Sequence, residues 1–235
     1  MVAMGSAPYC QPGMEKHFRH NALFVGGSTR KAVEEGRADF TPCFFHEAPK
    51  FFREGILPVD IAFIQVSEPD ENGNCSFGIS VDYTRPATEA AKLVIAQVNK
   101  KMPYTYGNGI NLKDIDYIVE QEADLIELQP PHIGETEKKI GEYVASLIKD
   151  GDTLQLGIGA IPDAVLSFLG DKKDLGIHSE MFSDGVVDLA NKGVITNAKK
   201  TIDQGKFVSC FLMGTKKLYD FVNNNPDVLI KPVDY

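Results

Sequence analysis

The second half of the chain alternates short apolar runs with amphipathic stretches, joined by short polar loops. This alternation predicts strands at 153–156, 175–177, 207–213 and 228–230, and helices at 135–148, 162–169, 185–190 and 216–222. In the first of these helices the apolar residues form one stripe, made of Ile140, Tyr143, Val144, Leu147 and Ile148. Strands that alternate with helices favour a largely parallel sheet covered on both faces, and therefore an α/β fold.

The first half is less regular. Its pattern predicts helices at 30–35 and 48–53 and strands at 61–66, 93–98 and 117–119. The stretch 69–74 is a strong turn signal, in which Asn72 and Gly73 supply the positive φ angles of a tight hairpin. Pro130 and Pro131 form the best candidate linker, so we expect two α/β domains, at residues 1–131 and 132–235.

Both ends of the chain have the pattern of an interrupted domain. The sequence opens at once with the apolar residues 1–4, and it stops just after the predicted strand at 228–230. A parallel sheet needs a covering helix on each face, and none follows that strand. We therefore expect both domains to be incomplete, although an edge strand or a small protein beginning at Met1 explains the pattern equally well.

Composition narrows the class of protein. The chain has 235 residues, of which 43% are hydrophobic and 24% are charged, with a formal net charge of -9. An acidic balance argues against nucleic acid as a partner, and the apolar runs are too short to span a membrane. Four scattered cysteines without ligand-like spacing favour reduced thiols over a disulfide framework or a metal site. We expect a soluble, cytoplasmic protein without a metal.

A glycine loop is the first candidate site. Between a predicted strand and a predicted helix stand Gly157, Ile158, Gly159, Ala160 and Ile161, followed by Pro162. Glycines let the backbone approach a ligand closely, and a helix N-terminus directs N–H groups at negative charge. The loop lacks the third glycine of a dinucleotide fingerprint and the lysine of a phosphate-binding P-loop. A tight turn that packs a helix onto a sheet is an equally simple interpretation.

Glu180 is the second candidate, because it follows an apolar strand at the carboxyl edge of the predicted sheet, where ligands bind in open α/β folds. Met181 and Phe182 would partly desolvate its carboxylate and make it more nucleophilic or basic. A glutamate in this position is more often solvated, however. His178 and Ser179 suggest a hydrolase, but adjacent strand residues point to opposite faces and no GxSxG elbow is present.

Two further segments receive a mainly structural interpretation. The stretch 42–47 contains His46 and Glu47 after an apolar run but has no ligand spacing around them. Lys216 and Lys217 stand at a predicted helix start, where they could meet a phosphate, although paired lysines are usually solvated.

Several long motifs carry a resemblance to a known family. They are 151–165 (GDTLQLGIGAIPDAV), 176–181 (GIHSEM), 183–188 (SDGVVD) and 211–215 (FLMGT), together with the upstream segments 42–47 and 69–73. The chain resembles the 4-hydroxybutyrate and butyrate:acetate CoA-transferases within the acetyl-CoA hydrolase/transferase family. The match covers essentially the whole chain, but the family members are much longer and hold further CoA contacts in a large C-terminal portion.

The resemblance implies two related open α/β domains with the active site between them. It places the nucleophilic glutamate at Glu180 and the CoA contacts at 157–161, with coenzyme A as co-substrate and no metal. The implied reaction moves CoA from an acyl-CoA to a short-chain carboxylate through a glutamyl-CoA thioester. The alternatives are an acyl-CoA hydrolase that uses the same glutamate, and a non-catalytic piece. We also expect a homo-oligomer, or association with the missing portion.

Overall fold

The computed structural model describes residues 6–235, so the apolar opening at 1–4 lies outside the described residues. The first half contains strands β1 (Asn21–Ala22), β2 (Asp39–Phe40), β3 (Ile61–Val66), β4 (Asn74–Cys75), β5 (Leu93–Val98), β6 (Ile110–Asn111) and β7 (Tyr117–Glu120), and helices α1 (Gly27–Glu34), α2 (Ala48–Arg53) and α3 (Thr84–Ala90). Short 3₁₀ turns cover Pro8–Cys10, Met14–Lys16, Phe45–Glu47 and Leu112–Asp114.

The second half contains strands β8 (Thr153–Leu154), β9 (Gly176–Ile177), β10 (Met181–Phe182), β11 (Phe207–Ser209), β12 (Phe211–Leu212) and β13 (Val228–Ile230). Its helices are α4 (Glu135–Leu147), α5 (Ala160–Ser167), α6 (Asp184–Asn191) and α7 (Lys216–Val222). The predicted elements at 48–53, 61–66, 93–98, 216–222 and 228–230 are confirmed to the residue. Helix α5 begins earlier than predicted, because Gly159 already acts as its N-cap.

Nearly all strand pairs run parallel. Strands β3, β5 and β7 form a three-stranded parallel sheet. In the second half β8 pairs with β9, β10 with β12 and β11 with β13, all parallel. A parallel bridge between His178 and Val208 joins β9 to β11 and sets these strands side by side. The predicted α/β fold with a largely parallel sheet is confirmed, while its division at residue 131 stays a prediction.

One hydrophobic core draws on both halves of the chain. Val66 on β3 and Ala96 on β5 belong to the same buried cluster as Ile177 on β9 and Ile230 on β13. Phe182, fully buried at the end of β10, is part of it too. The two halves therefore support each other through shared apolar contacts rather than through a linker alone.

The turn at 69–74 differs from the predicted hairpin. Gly73 has φ 79°, but Asn72 is not among the residues with positive φ, as a type I′ turn would require. The Asp70 carboxylate instead accepts hydrogen bonds from the amides of Asn72 (2.9 Å) and Asn74 (2.8 Å). Strand β4 then pairs antiparallel with β6, not with β3. An aspartate-centred turn thus replaces the tight hairpin.

Helix α4 packs through its small residues and not through its apolar stripe. An apolar stripe ordinarily faces the core, yet Tyr143 is 75% exposed and Leu147 is 77% exposed. The buried residues are Gly141 and Ala145, which face α5. A Cβ atom on Gly141 would lie 2.8 Å from the carbonyl carbon of Ala164. The close approach of two helix backbones therefore decides which face is buried.

None of the helices in residues 6–235 is both long and apolar enough to cross a bilayer.

The close contact between α4 and α5 predicts how a substitution at Gly141 changes the stability of the protein. Gly141→Ala should lower the free energy of unfolding by about 1–3 kcal/mol, because the new methyl group meets helix backbone that must move. This cost outweighs the gain of about 1 kcal/mol in helix propensity. Urea denaturation measures the difference. Gly170→Ala is the control, since a Cβ there meets nothing within 4 Å. A Gly141→Ala protein as stable as the parent would contradict the packing described.

Candidate functional site

Glu180 stands in a gap of its strand, between β9 and β10. Its carbonyl oxygen accepts hydrogen bonds from the amides of Cys210 (3.0 Å) and Phe211 (3.2 Å). It also accepts bonds from Ser209 Oγ (3.0 Å) and Cys210 Sγ (3.1 Å). Two consecutive amides thus share one carbonyl acceptor and interrupt both strands at this point. The register is the same on both sides of this ladder break, His178 with Val208 and Met181 with Phe211, so neither strand gains a residue.

The ladder break has two consequences. It splits the predicted strand at 207–213 into β11 and β12, with Cys210 between them, so the prediction of one continuous strand was wrong there. It also fixes the backbone of Glu180 from a neighbouring strand. The position of the glutamate is therefore set by sheet hydrogen bonds and not by a mobile loop.

Glu180 lines a cavity of about 370 Å³, and the residue as a whole is exposed. Partial burial by its neighbours, and then the negative charge of Asp82, raise the pKa of the Glu180 carboxyl above its ordinary value. Asp82 is completely buried, and its carboxylate accepts bonds from Ser80 Oγ (2.7 Å) and the amide of Thr84 (3.1 Å). A carboxylate with a raised pKa is a stronger base and nucleophile in its ionised form.

The same cavity is lined by residues from distant parts of the chain. They are Phe44, Phe45, His46, Gln155, His178, Ser179, Val208, Ser209, Cys210, Lys231, Pro232, Val233 and Tyr235. The mainly structural interpretation of 42–47 was therefore incomplete, because Phe44, Phe45 and His46 share the cavity with Glu180. Lys231 and Asp82 were missed by sequence reasoning. For Lys231 the available signal was its place directly after an apolar strand.

The Ser179 side chain forms hydrogen bonds with the backbone. Its hydroxyl bonds to the amide of Leu156 at 2.8 Å and lies 3.1 Å from the carbonyl oxygen of the same residue. His178 instead stacks on Tyr235 with ring centroids 6.2 Å apart. Burial, and then the charge of Lys200, lower the pKa of His178. These contacts agree with the sequence argument against a serine–histidine nucleophile.

The glycine loop leads directly into α5. Gly159 has φ 122°, a conformation that side-chain-bearing residues rarely adopt, so glycine is required there. Within residues 6–235, no hydrogen bond is made by the backbone amides of Gly157 to Ile161. Ile158 is 52% exposed and Ile161 is 44% exposed. The loop thus offers unpaired N–H donors beside apolar side chains, as a thioester-bearing ligand would need.

The loop and Glu180 line neighbouring cavities rather than a single one. Gly157, Ile158 and Gly159 line a second cavity of about 340 Å³. Met181, the residue next to Glu180, lines this second cavity. Hydrogen bonds between Ser179, which lies after β9, and Leu156, which lies after β8, hold the two segments together. The predicted joint role of the loop and the glutamate therefore stays a prediction.

Helix α7 is fixed against the glycine-loop cavity by a buried carboxylate. Asp184 accepts bonds from the amides of Thr215 (3.0 Å) and Leu218 (3.2 Å) at the start of α7. Both lysines considered for a phosphate already have carboxylate partners. Lys216 pairs with Asp220 at 2.6 Å, and Lys217 pairs with Asp188. Within the described part of the chain, no three His, Cys, Asp or Glu side chains are grouped as metal ligands would be.

Comparison with known proteins identifies the family to which the chain belongs. The model of the acetyl-CoA hydrolase/transferase N-terminal domain matches residues 2–129. The chain belongs to the acetyl-CoA hydrolase/transferase family. This membership confirms the resemblance inferred from the motifs.

Individual members of the family are similar over nearly the whole chain. A 4-hydroxybutyrate coenzyme A transferase of Clostridium kluyveri is 67% identical over 100% of this chain and 55% of its own length. A succinyl-CoA:acetate/propanoyl-CoA:succinate CoA transferase of Fasciola hepatica is 49% identical over 94% of this chain and 47% of its own length. The crystal structure of a 4-hydroxybutyrate CoA-transferase from Porphyromonas gingivalis has a TM-score of 0.83 and 47% identity, over 94% of this chain and 58% of that chain. The chain spans about half the length of the curated relatives that it matches.

The environment of Glu180 predicts how its carboxyl titrates. Asp82→Asn should lower the pKa of Glu180, because it removes the second cause of the upward shift, but burial should keep the pKa above its ordinary value. Side-chain ¹³C NMR measures this, with the resonance assigned through Glu180→Gln. Asp60→Asn, at an exposed ion pair with Lys92, is the control and should leave the titration unchanged. An unchanged or higher pKa in Asp82→Asn would show that Asp82 does not act on Glu180.

Proposed function

We propose that the protein carrying this sequence transfers CoA between an acyl-CoA and a short-chain carboxylate such as acetate, butyrate or 4-hydroxybutyrate, with Glu180 as the covalent nucleophile. The observation that carries the proposal is a carboxylate with a raised pKa, on a residue whose backbone is fixed at the ladder break and which lines a cavity. The CoA-transferase names of the relatives support the same reaction class.

The reaction needs only a carboxylate on the protein. Glu180 attacks the carbonyl carbon of the acyl-CoA, the carbon–sulfur bond breaks, and a mixed anhydride and CoA thiolate form. The thiolate attacks the glutamyl carbonyl, giving a glutamyl-CoA thioester and releasing the first acid with one oxygen of Glu180. A second acid then reverses these steps and leaves as its CoA thioester. No general base is required, because the nucleophile is already ionised.

The glycine loop serves the same reaction in this proposal. The CoA arm occupies the cavity beside Gly157, Ile158 and Gly159, and the thioester end passes Met181 to reach Glu180. The unpaired amides of the loop stabilise the oxyanion of each tetrahedral intermediate. Loss of one such donor typically costs about 10²–10³ in rate. Support comes from the free amides and the glycine-only conformation at Gly159.

Two further expectations belong to the whole protein. The end of the family match at residue 129 supports a domain boundary near 131. A homo-oligomer, or association with a further portion of polypeptide, stays a prediction. The exposed apolar side chains of Tyr143 and Leu147 on α4 are compatible with either.

The proposal is tested by replacing the nucleophile in the protein as its gene encodes it. Glu180→Gln should abolish exchange of labelled acetate into acyl-CoA, because an amide cannot form the anhydride. It should also abolish the glutamyl-CoA adduct, which is detected by mass after borohydride trapping of the parent protein. Glu142→Gln is the matched control, since Glu142 is exposed on α4, and it should retain full activity.

Three other outcomes would contradict the proposal or favour one of its alternatives. Exchange that survives Glu180→Gln would exclude Glu180 as the nucleophile. Acid release that continues without any added carboxylate acceptor, at a rate equal to exchange, would favour the hydrolase. A parent protein that binds acyl-CoA but forms no adduct would favour a non-catalytic role.

A further inference from the structure

Lys231 lies level with Glu180 across the sheet. It follows β13 directly, and its amide donates to the carbonyl oxygen of Ser209 at 2.8 Å. The hydroxyl of Ser209 in turn donates to the carbonyl oxygen of Glu180 at 3.0 Å. Because His178 is in register with Val208 and Val208 with Leu229, the residues two positions further on, Glu180, Cys210 and Lys231, sit at one level on three neighbouring strands. At about 4.8 Å per strand, the backbones of Glu180 and Lys231 are about 10 Å apart.

The ammonium group of Lys231 has no carboxylate partner in residues 6–235, although the chain carries an excess of acidic residues. Its Nζ lies over the ring of Tyr235, 4.7 Å from the centroid, a contact that leaves its N–H donors usable. Lys231 and Glu180 line the same cavity, and Glu180 is the one carboxylate among its described lining residues. Lys231 and Glu180 thus bring opposite charges to the wall of one space that a small molecule can enter.

We infer that Lys231 anchors the carboxylate of the acid substrate beside Glu180. The inference rests on the proposed function and deepens it by assigning the acid subsite. A lysine ammonium is a compact point charge that binds a carboxylate without a fixed geometry. Phe44 and Phe45, in the wall of the same cavity, provide apolar surface for a short hydrocarbon tail.

Charge balance in the cavity gives the order of binding. In the free protein the negative charge of Glu180 repels a second anion that enters the cavity. In the glutamyl-CoA state Glu180 is uncharged, and that repulsion is gone while the charge of Lys231 remains. The incoming acid then pairs with Lys231 and is held where its oxygen can attack the glutamyl carbonyl. The acid is thus favoured only after CoA has been loaded.

The test measures acid binding without catalysis. Glu180→Gln has an uncharged side chain and stands in for the loaded state, and butyrate binding to it is followed by NMR titration. Adding Lys231→Met should weaken butyrate binding about ten- to hundredfold, the loss expected for a hydrogen bond to a charged group. Lys231→Arg should restore most of the affinity. Butyramide, which has no charge, should bind Glu180→Gln and its Lys231→Met derivative equally.

Lys192→Met in the Glu180→Gln background controls for net charge, because Lys192 is exposed at the end of α6. It should leave butyrate affinity unchanged. Equal butyrate affinity with and without Lys231 would overturn the inference, and so would undetectable butyrate binding to Glu180→Gln. Since these titrations need no turnover, they are independent of the exchange assay. Absent exchange in the parent protein contradicts the proposed function, whereas Lys231-independent binding contradicts only the acid subsite.

Discussion

The carbonyl oxygen of Glu180 is the point at which the backbone of the site is fixed. The amides of Cys210 and Phe211 both turn toward it, and the side chains of Ser209 and Cys210 add further bonds. A carbonyl held in this way cannot rotate without breaking the pairing of β10 with β12. The ladder break therefore gives one carboxylate-bearing residue a backbone position fixed by sheet hydrogen bonds, and Glu180 and the adjacent Met181 line two different cavities.

The neighbouring charges then act on the Glu180 carboxylate, whose backbone position is already fixed. Partial burial and the buried carboxylate of Asp82 raise the pKa of Glu180, while Lys231 supplies the opposite charge across the cavity. In the proposed reaction the negative charge of Asp82 makes Glu180 a stronger nucleophile. The positive charge of Lys231, about two strand spacings away, attracts the anionic substrate in that reaction without forming a direct ion pair with Glu180.

Much of the fold follows from local pattern. The strands at 61–66, 93–98 and 228–230 were predictable because each is a short run rich in apolar and β-branched residues. β3 itself is buried on one face only, with Phe63 76% exposed on the other. The ladder break was not predictable, because it arises from pairing between Glu180 and residues at 209–211, far apart in sequence. Periodicity also cannot say which face of α4 is buried. The decisive feature there is the fit of Gly141 against Ala164. In the candidate site, the strand end made Glu180 only a candidate, and its role as nucleophile came from the family resemblance and stays a prediction. Asp82 and Lys231 are brought near it only by the tertiary structure.

The central claim is that Glu180 becomes covalently acylated and returns to a carboxylate in each cycle. Every complete cycle would then place one oxygen of the second acid in the Glu180 carboxylate. The most direct measurement is mass spectrometry of the peptide that contains Glu180, after turnover in ordinary water. The acetate carries oxygen-18 and the acyl-CoA is unlabelled. We expect oxygen-18 at Glu180 when both substrates are present and none when acyl-CoA is omitted. Sustained exchange with no label at Glu180 would contradict the account.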